Sequence, residues 1–195
     1  MDLCEIASYY TLKTDKYSGY TAGHTYLPYY EKLFSSYKNK SVKLLEVGVL
    51  VGESLKLWSY YFKKGTIYGM DIFCREWDHI AESACDFETV KTRLSQFKNV
   101  RLINANCQNR QEIDNHQLPE FDIIIDDGPH TLEAQLTTFS NLKHKLKIGG
   151  VYIIEDVKDE NIKYIQNEIV GCKVLNLQHE KNDLSNNLII YERAI

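Results

Sequence analysis

The sequence has no run of lysine or arginine, no stretch near the ~20 apolar residues that span a bilayer, and no CxxC pair among its five cysteines. Each absence excludes something. Without a basic face, and with a formal net charge of −4, a dedicated nucleic-acid binder is disfavoured, because phosphate recognition relies on clustered cations. The opening residues MDLCEIASYY lack the basic and apolar regions of a secretory leader, so the expectation is a soluble, cytoplasmic protein without a membrane partner. Cys4, Cys74, Cys85, Cys107 and Cys172 are odd in number and scattered, which argues against a disulfide framework or a zinc site and for free thiols. No repeat, low-complexity tract or linker interrupts the chain. Its 195 residues, 44% hydrophobic, suit one compact structural domain.

From about residue 40, short apolar runs alternate with helical patterns. Strands are predicted at 42–47, 66–71, 100–103, 121–126, 151–156, 172–177 and 187–192. Between the fourth and fifth, Leu132, Leu136, Phe139, Leu142 and Leu146 recur at helical spacing, with Lys143, Lys145 and Lys147 ahead of a stop at Gly149-Gly150. Continuous apolar strands alternating with helices predict a doubly wound α/β fold, its sheet mostly parallel and covered on both faces. The last two strands are joined by the polar stretch QHEKNDLSN and read as an antiparallel hairpin. Residues 1–40 are rich in tyrosine and poor in strand patterns. They are expected to form a helical cap or lid on a domain running from 41 to 195, their tyrosines packing rings inward and leaving hydroxyls wet.

In LLEVGVLVGESLKLW, the first strand runs through Gly48 and Gly52 into a helix. Glycine permits a tight turn and close approach of backbone to a ligand, with helix amides facing the gap. The spacing is neither the GxGxxG of dinucleotide folds nor the GK[ST] of a P-loop, which weighs against a nicotinamide dehydrogenase. Taken alone, the glycines also suit an ordinary strand-to-helix turn. Asp71, ending the second strand, stands where a carboxylate in this architecture accepts hydrogen bonds from ribose hydroxyls. After the third strand, Asn106, Cys107 and Gln108 lie in the stretch NANCQN (104–109), which by itself also reads as an ordinary polar strand-to-helix loop.

The fourth strand, FDIIID, ends in DDGPH, and the fifth ends in Glu155-Asp156. Ligands of open α/β sheets bind beyond the carboxyl ends of the strands. If these strands are neighbours, their acids converge, and like charges so placed need a proton or a cation between them. Oxygen-only donors favour Mg²⁺, Mn²⁺ or Ca²⁺, with Mg²⁺ or Mn²⁺ expected here. The competing reading is that these acids only cap the helices that follow.

Glu46, Gly48 and Asp71 together resemble the cofactor site of class I S-adenosylmethionine-dependent methyltransferases, with their Rossmann-like seven-stranded sheet, over roughly residues 42–192. The resemblance implies a cofactor-binding set of Glu46, Gly48, Gly52, Ser54, Asp71, Cys107, Gln108 and Asp126. IDDGPH followed by LKIGGVYIIEDV is similar to the metal-dependent sugar O-methyltransferases of macrolide biosynthesis, and TDKYSGYTAGHTYLPYYEKLF (14–34) resembles the segment preceding their cofactor domain. It implies Asp127, Glu155 and Asp156 as metal ligands, His130 with Asp127 as the catalytic pair, and a deoxysugar hydroxyl, free or glycan-linked, as acceptor. A catechol-like diol or a non-catalytic partner subunit remains as an alternative, and a homo-oligomer is compatible with the sequence. Lys16 and His24 receive no role.

Overall fold

The computed structural model describes residues 1–20, 23–74, 82–177 and 185–194. The chain opens with two short helices, α1 (Leu3–Tyr9) and α2 (Leu27–Phe34). α1 begins in a reciprocal cap: Asp2 accepts the Glu5 amide and Glu5 accepts the Asp2 amide, which satisfies amides that the first helical turn leaves unpaired. Then follow β1 (Lys43–Val47), α3 (Glu53–Tyr61), β2 (Thr66–Asp71), α4 (Glu82–Cys85), α5 (Phe87–Arg93), β3 (Val100–Asn104), α6 (Arg110–Asn115), β4 (Phe121–Asp126) and α7 (Leu132–Leu142). β5 (Leu146–Ile154), α8 (Ile162–Glu168), β6 (Lys173–Asn176) and β7 (Asn187–Glu192) complete the fold.

The strands form one seven-stranded sheet in the order β3-β2-β1-β4-β5-β7-β6. β1 to β5 run parallel, and β7 enters antiparallel between β5 and β6. This is the expected doubly wound architecture with its inserted antiparallel strand. Most of the connecting polar stretch, 178–184, lies outside the described residues.

β4 shows why its apolar run is continuous. Ile123 and Ile125 face the core shared with α1, α2, α3 and α5, whereas Phe121 and Ile124 face the one shared with α6, α7 and α8. A strand with helices on both sides has no wet face on which to place polar side chains. Its acids therefore lie at its margins: Asp122 at the start, accepting the Lys43 amide and the Lys147 ammonium, and Asp126 at the end, followed by Asp127.

One boundary differs from the sequence reading. α7 stops at Leu142, a 3₁₀ turn spans Lys143–Lys145, and β5 starts at Leu146 rather than after the glycines. Gly149 and Gly150 interrupt the strand instead of ending the helix. Gly149 has φ +76°, and the pairing with β4 shifts register between Phe121 and Ile123, the signature of a bulge.

Candidate active site

β1 and β4 are neighbours in space, although β1's next strand in sequence, β2, lies on its other side. The sheet thus reverses its winding between them, and a crevice opens beyond the strand ends. Gly48, Asp71, Cys107, Gln108, Gly128 and Pro129 line this cleft, with Val47, Met70, Ile72 and Ala105 supplying apolar surface. A cleft with apolar walls and a few polar groups suits a flat heteroaromatic ligand.

Asp71 ties the glycine loop to the end of β2. Its Oδ2 accepts the amides of Val49 (2.7 Å) and Leu50 (3.1 Å), and its Oδ1 accepts that of Phe73 (2.9 Å). Glu46 is fully buried and held from α3: Ser54 Oγ and Trp58 Nε1 both donate to its Oε2, at 2.8 and 3.1 Å. Burial pushes the Glu46 carboxyl up to about 7, against the pull of Lys16. Gly52, at φ +86°, is the N-cap of α3 and stands against Leu94. Cys107 is buried, and burial raises its thiol to about 11 while Thr138 Oγ1 donates to its sulfur. Such a thiol is inert.

Asp126 is not among the residues that line the cleft. Its buried carboxyl receives Tyr152 Oη and the Gly128 amide, both at 3.3 Å. Burial pushes it up to about 7. It props up the Gly128 turn from beneath.

Beyond β4 and β5, Asp127, His130 and Asp156 offer one ligand atom each within 4.8 Å of one another. His130 Nε2 lies 3.2 Å from Asp127 Oδ1, and His130 Nδ1 lies 3.5 Å from Asp156 Oδ2. Asp156 adopts φ +52°, an uncommon backbone conformation for this residue and one that tends to mark functional sites. Two carboxylates and an imidazole converging on one point suit a hard divalent cation.

Glu155 stands apart from this triad. Its carboxylate turns inward, accepting Tyr30 Oη at 2.5 Å and Lys16 Nζ at 2.8 Å. Burial pushes it well above the ordinary carboxylate range, as do Asp127 and Asp156. To ligate an ion, it would have to release Lys16.

The N-terminal segment supplies what sequence reasoning missed. Lys16 is completely buried, its ammonium 2.6 Å from Asp127 Oδ2 and 3.2 Å from Glu46 Oε1 as well as bonded to Glu155. Burial opposes its charge most strongly, yet Asp127, Glu155 and Glu46 together hold its pKa well above the lysine value. Burial would likewise raise Asp127, but Lys16 and His130 bring it down to about 2. Tyr26 Oη donates to Asp156 Oδ1 at 2.6 Å, and His24 Nε2 lies 3.4 Å from the same oxygen. The expectation of wet hydroxyls therefore fails for Tyr26 and Tyr30, whose side chains are buried and whose hydroxyls serve the acids. Except for Lys16 and Glu46, 30 residues apart, more than a hundred residues separate these partners in sequence, and no local pattern links them. The only signal was the resemblance of residues 14–34 to a family segment.

A family profile described as a methyltransferase domain matches residues 45–157. The chain belongs to this family. Among curated relatives, mycinamicin VI 2''-O-methyltransferase of Micromonospora griseorubida is 32% identical over 165 residues, covering 80% of this chain and 36% of that protein. Demethylmacrocin O-methyltransferase of Streptomyces fradiae is 31% identical over 163 residues, with the same coverage of 80% and 36%. The chain thus spans about a third of the length of these relatives. Among solved structures, MycE methyltransferase from the mycinamycin biosynthetic pathway, in complex with Mg, SAH and mycinamycin VI, superposes with a TM-score of 0.68. It covers 100% of this chain and 55% of that one, at 24% identity. This likeness establishes the fold.

Proposed function

We propose that the protein is an S-adenosylmethionine-dependent, divalent-metal-dependent O-methyltransferase acting on a sugar hydroxyl of a glycan or glycosylated small molecule. The observation that carries the reading is the meeting of Asp127, His130 and Asp156 at the strand ends beside the cleft of Gly48 and Asp71. The relatives' names, mycinamicin and macrocin O-methyltransferases, support a glycosylated acceptor, and the neighbour solved with Mg and SAH supports the choice of cofactors.

The cleft suits the nucleoside, with Asp71 toward the ribose, Cys107 and Gln108 toward the base, and Glu46 toward the methionine end. The methyl group is already activated by the sulfonium that carries it, so the protein must work on the acceptor. A sugar hydroxyl keeps its proton at neutral pH and is a poor nucleophile. Asp127 and Asp156 would hold a divalent cation with His130 beside it, Glu155 joining only on leaving Lys16. Bound there, Mg²⁺ or Mn²⁺ supplies orientation of adjacent oxygens and a lowered hydroxyl pKa. His130, the most exposed member of the triad at 31%, takes the proton as base. The fixed strand ends of β4 and β5 would hold the acceptor in the orientation that an in-line displacement rewards. Among the described residues, no helix is long and apolar enough to cross a membrane. Dependence on S-adenosylmethionine, a cofactor made inside cells, supports a cytoplasmic site of action.

The experiment is incubation with labelled S-adenosylmethionine and Mg²⁺ over a panel of free and glycoside-linked deoxysugars and catechols. Label transferred to a sugar supports the reading. Transfer only to catechols, or none in protein that binds S-adenosylhomocysteine and metal, overturns it.

A further inference from the structure

We propose that Lys16 is a built-in cation of the carboxylate centre, a positioning residue that holds Glu46, Asp127 and Glu155 together and opposes the pull of the centre on a divalent ion. The inference rests on the functional reading above, and adds to it a residue for which that reading has no use. β1, β4 and β5 are consecutive in the sheet, and each sends one of these three acids to the same ammonium. Three carboxylates brought together away from water repel strongly unless a cation lies among them. Lys16 provides that cation permanently, because it is tethered to the chain.

The geometry also divides the labour of each acid. Asp127 gives Oδ2 to Lys16 and Oδ1 to His130, so the ammonium fixes which oxygen faces the histidine and the triad. Glu155 is clamped from both sides, by Lys16 and by Tyr30. Glu46 belongs to the cofactor side, where Ser54 and Trp58 hold its other oxygen. Among the described residues its Oε1 accepts no hydrogen bond, although the ammonium lies 3.2 Å away. Among the described residues, Lys16 is therefore the charge shared by the acids of the two halves of the site.

Removing a positive charge this close to a cation site should strengthen the hold on a metal, whereas a purely structural residue would weaken it or leave it unchanged. The test compares wild type, Lys16→Met and Lys16→Arg by Mn²⁺ titration with electron paramagnetic resonance, by calorimetric titration with S-adenosylhomocysteine, and by thermal melting. Lys16→Met should bind Mn²⁺ about tenfold or more tightly than wild type, from the lost Coulomb repulsion, with Lys16→Arg remaining near wild type. If Lys16→Met is unfolded when metal-free, Mn²⁺ must restore its melting transition, one cation replacing another. Lys16→Met with unchanged or weaker Mn²⁺ affinity, Lys16→Arg as tight as Lys16→Met, or a Met variant that stays unfolded in Mn²⁺ would each overturn the proposal. Wild type that binds neither Mn²⁺ nor S-adenosylhomocysteine would overturn the functional reading and this with it. Wild type that binds both, with an unresponsive Lys16→Met, overturns this inference alone.

Discussion

Gly48 and Asp127 meet backbone to backbone: a Cβ on Gly48 would stand 1.9 Å from the Asp127 carbonyl oxygen. The cofactor loop and the acid of the triad are thus packed as one unit, reinforced where the Asp127 amide donates to the Val47 carbonyl at 2.9 Å. Gly48 also has φ +86°, where any side chain is strained. Gly48→Ala should therefore cost about 1–3 kcal/mol of stability from overpacking and strain, and weaken S-adenosylhomocysteine and metal binding together. Denaturant melts and two calorimetric titrations check this. Loss of one ligand with the other intact would show that the loop and the triad are independent.

Asp71 has two tasks, and its removal should reveal both. With the side chain gone, the amides of Val49 and Leu50 lose their acceptor and the cleft loses its proposed ribose partner. Asp71→Ala should weaken S-adenosylhomocysteine binding by about 1–3 kcal/mol, the penalty for an unmade hydrogen bond in a buried site. Adenosine, which carries the same ribose, should lose a similar amount. Unaltered binding of both by calorimetry would assign Asp71 to loop structure alone.

How much of this was legible in the sequence depended on whether the partners were local. FDIIID announced a strand covered on both faces because its apolar run is unbroken, and Asp127 and His130 followed as a short turn whose geometry the sequence spacing sets. The pairing of β4 with β5 followed from the resemblance to a methyltransferase strand order, so the meeting of Asp127 with Asp156 could be anticipated. Lys16, His24, Tyr26 and Tyr30 could not, because a long-range approach leaves no periodicity. The resemblance implies Glu155 as a metal ligand beside Asp156; consecutive residues at a strand end point in different directions, and in the structure Glu155 turns toward Tyr30 and Lys16. Gly149-Gly150 reads as a helix stop in the sequence because glycine after a basic turn signals one equally well.

Glu46 predicts a pH dependence. Burial raises it from its ordinary 4.5 to about 7 in the folded chain, so between those values the folded state keeps a proton that the unfolded state has released. Its contribution to stability is complete below pH 4.5 and is lost as pH rises through about 7. Ligand-free protein should be more stable to urea at pH 5.5 than at pH 7.5. Glu46→Gln, which stays neutral, should narrow the difference, and an equal difference in the variant would place the dependence on other groups.

The metal centre separates Asp156 from Glu155. Chelator should abolish methyl transfer, and Mg²⁺ or Mn²⁺ should restore it. Asp156→Asn removes a carboxylate of the triad and should weaken Mn²⁺ binding about 10²-fold or more, from the charge lost at contact distance. Glu155→Gln should weaken it far less while Lys16 keeps that side chain occupied. Equal losses in the two variants, measured by Mn²⁺ titration, would show that Glu155 leaves Lys16 to ligate the ion.

His130 decides whether the triad performs chemistry or only holds an ion. Its imidazole lies between Asp127 Oδ1 and Asp156 Oδ2 at the open edge of the cluster, where an acceptor hydroxyl has access. His130 lies in the turn between β4 and α7 with its side chain 31% exposed, so His130→Ala should keep its fold and its affinity for S-adenosylhomocysteine. Without a proton acceptor, kcat should fall about 10²–10⁴-fold, the usual contribution of a positioned base. Only neutral imidazole can accept a proton, so the wild-type rate should rise with pH along a limb that the variant lacks. His130→Gln provides the control, because it restores a polar side chain but not the base, and it should be as slow as the alanine variant. If either variant keeps near-normal kcat and the wild-type pH profile with Mn²⁺ bound, activation of the hydroxyl belongs to the ion alone, and His130 is reduced to holding Asp127 and Asp156 in place.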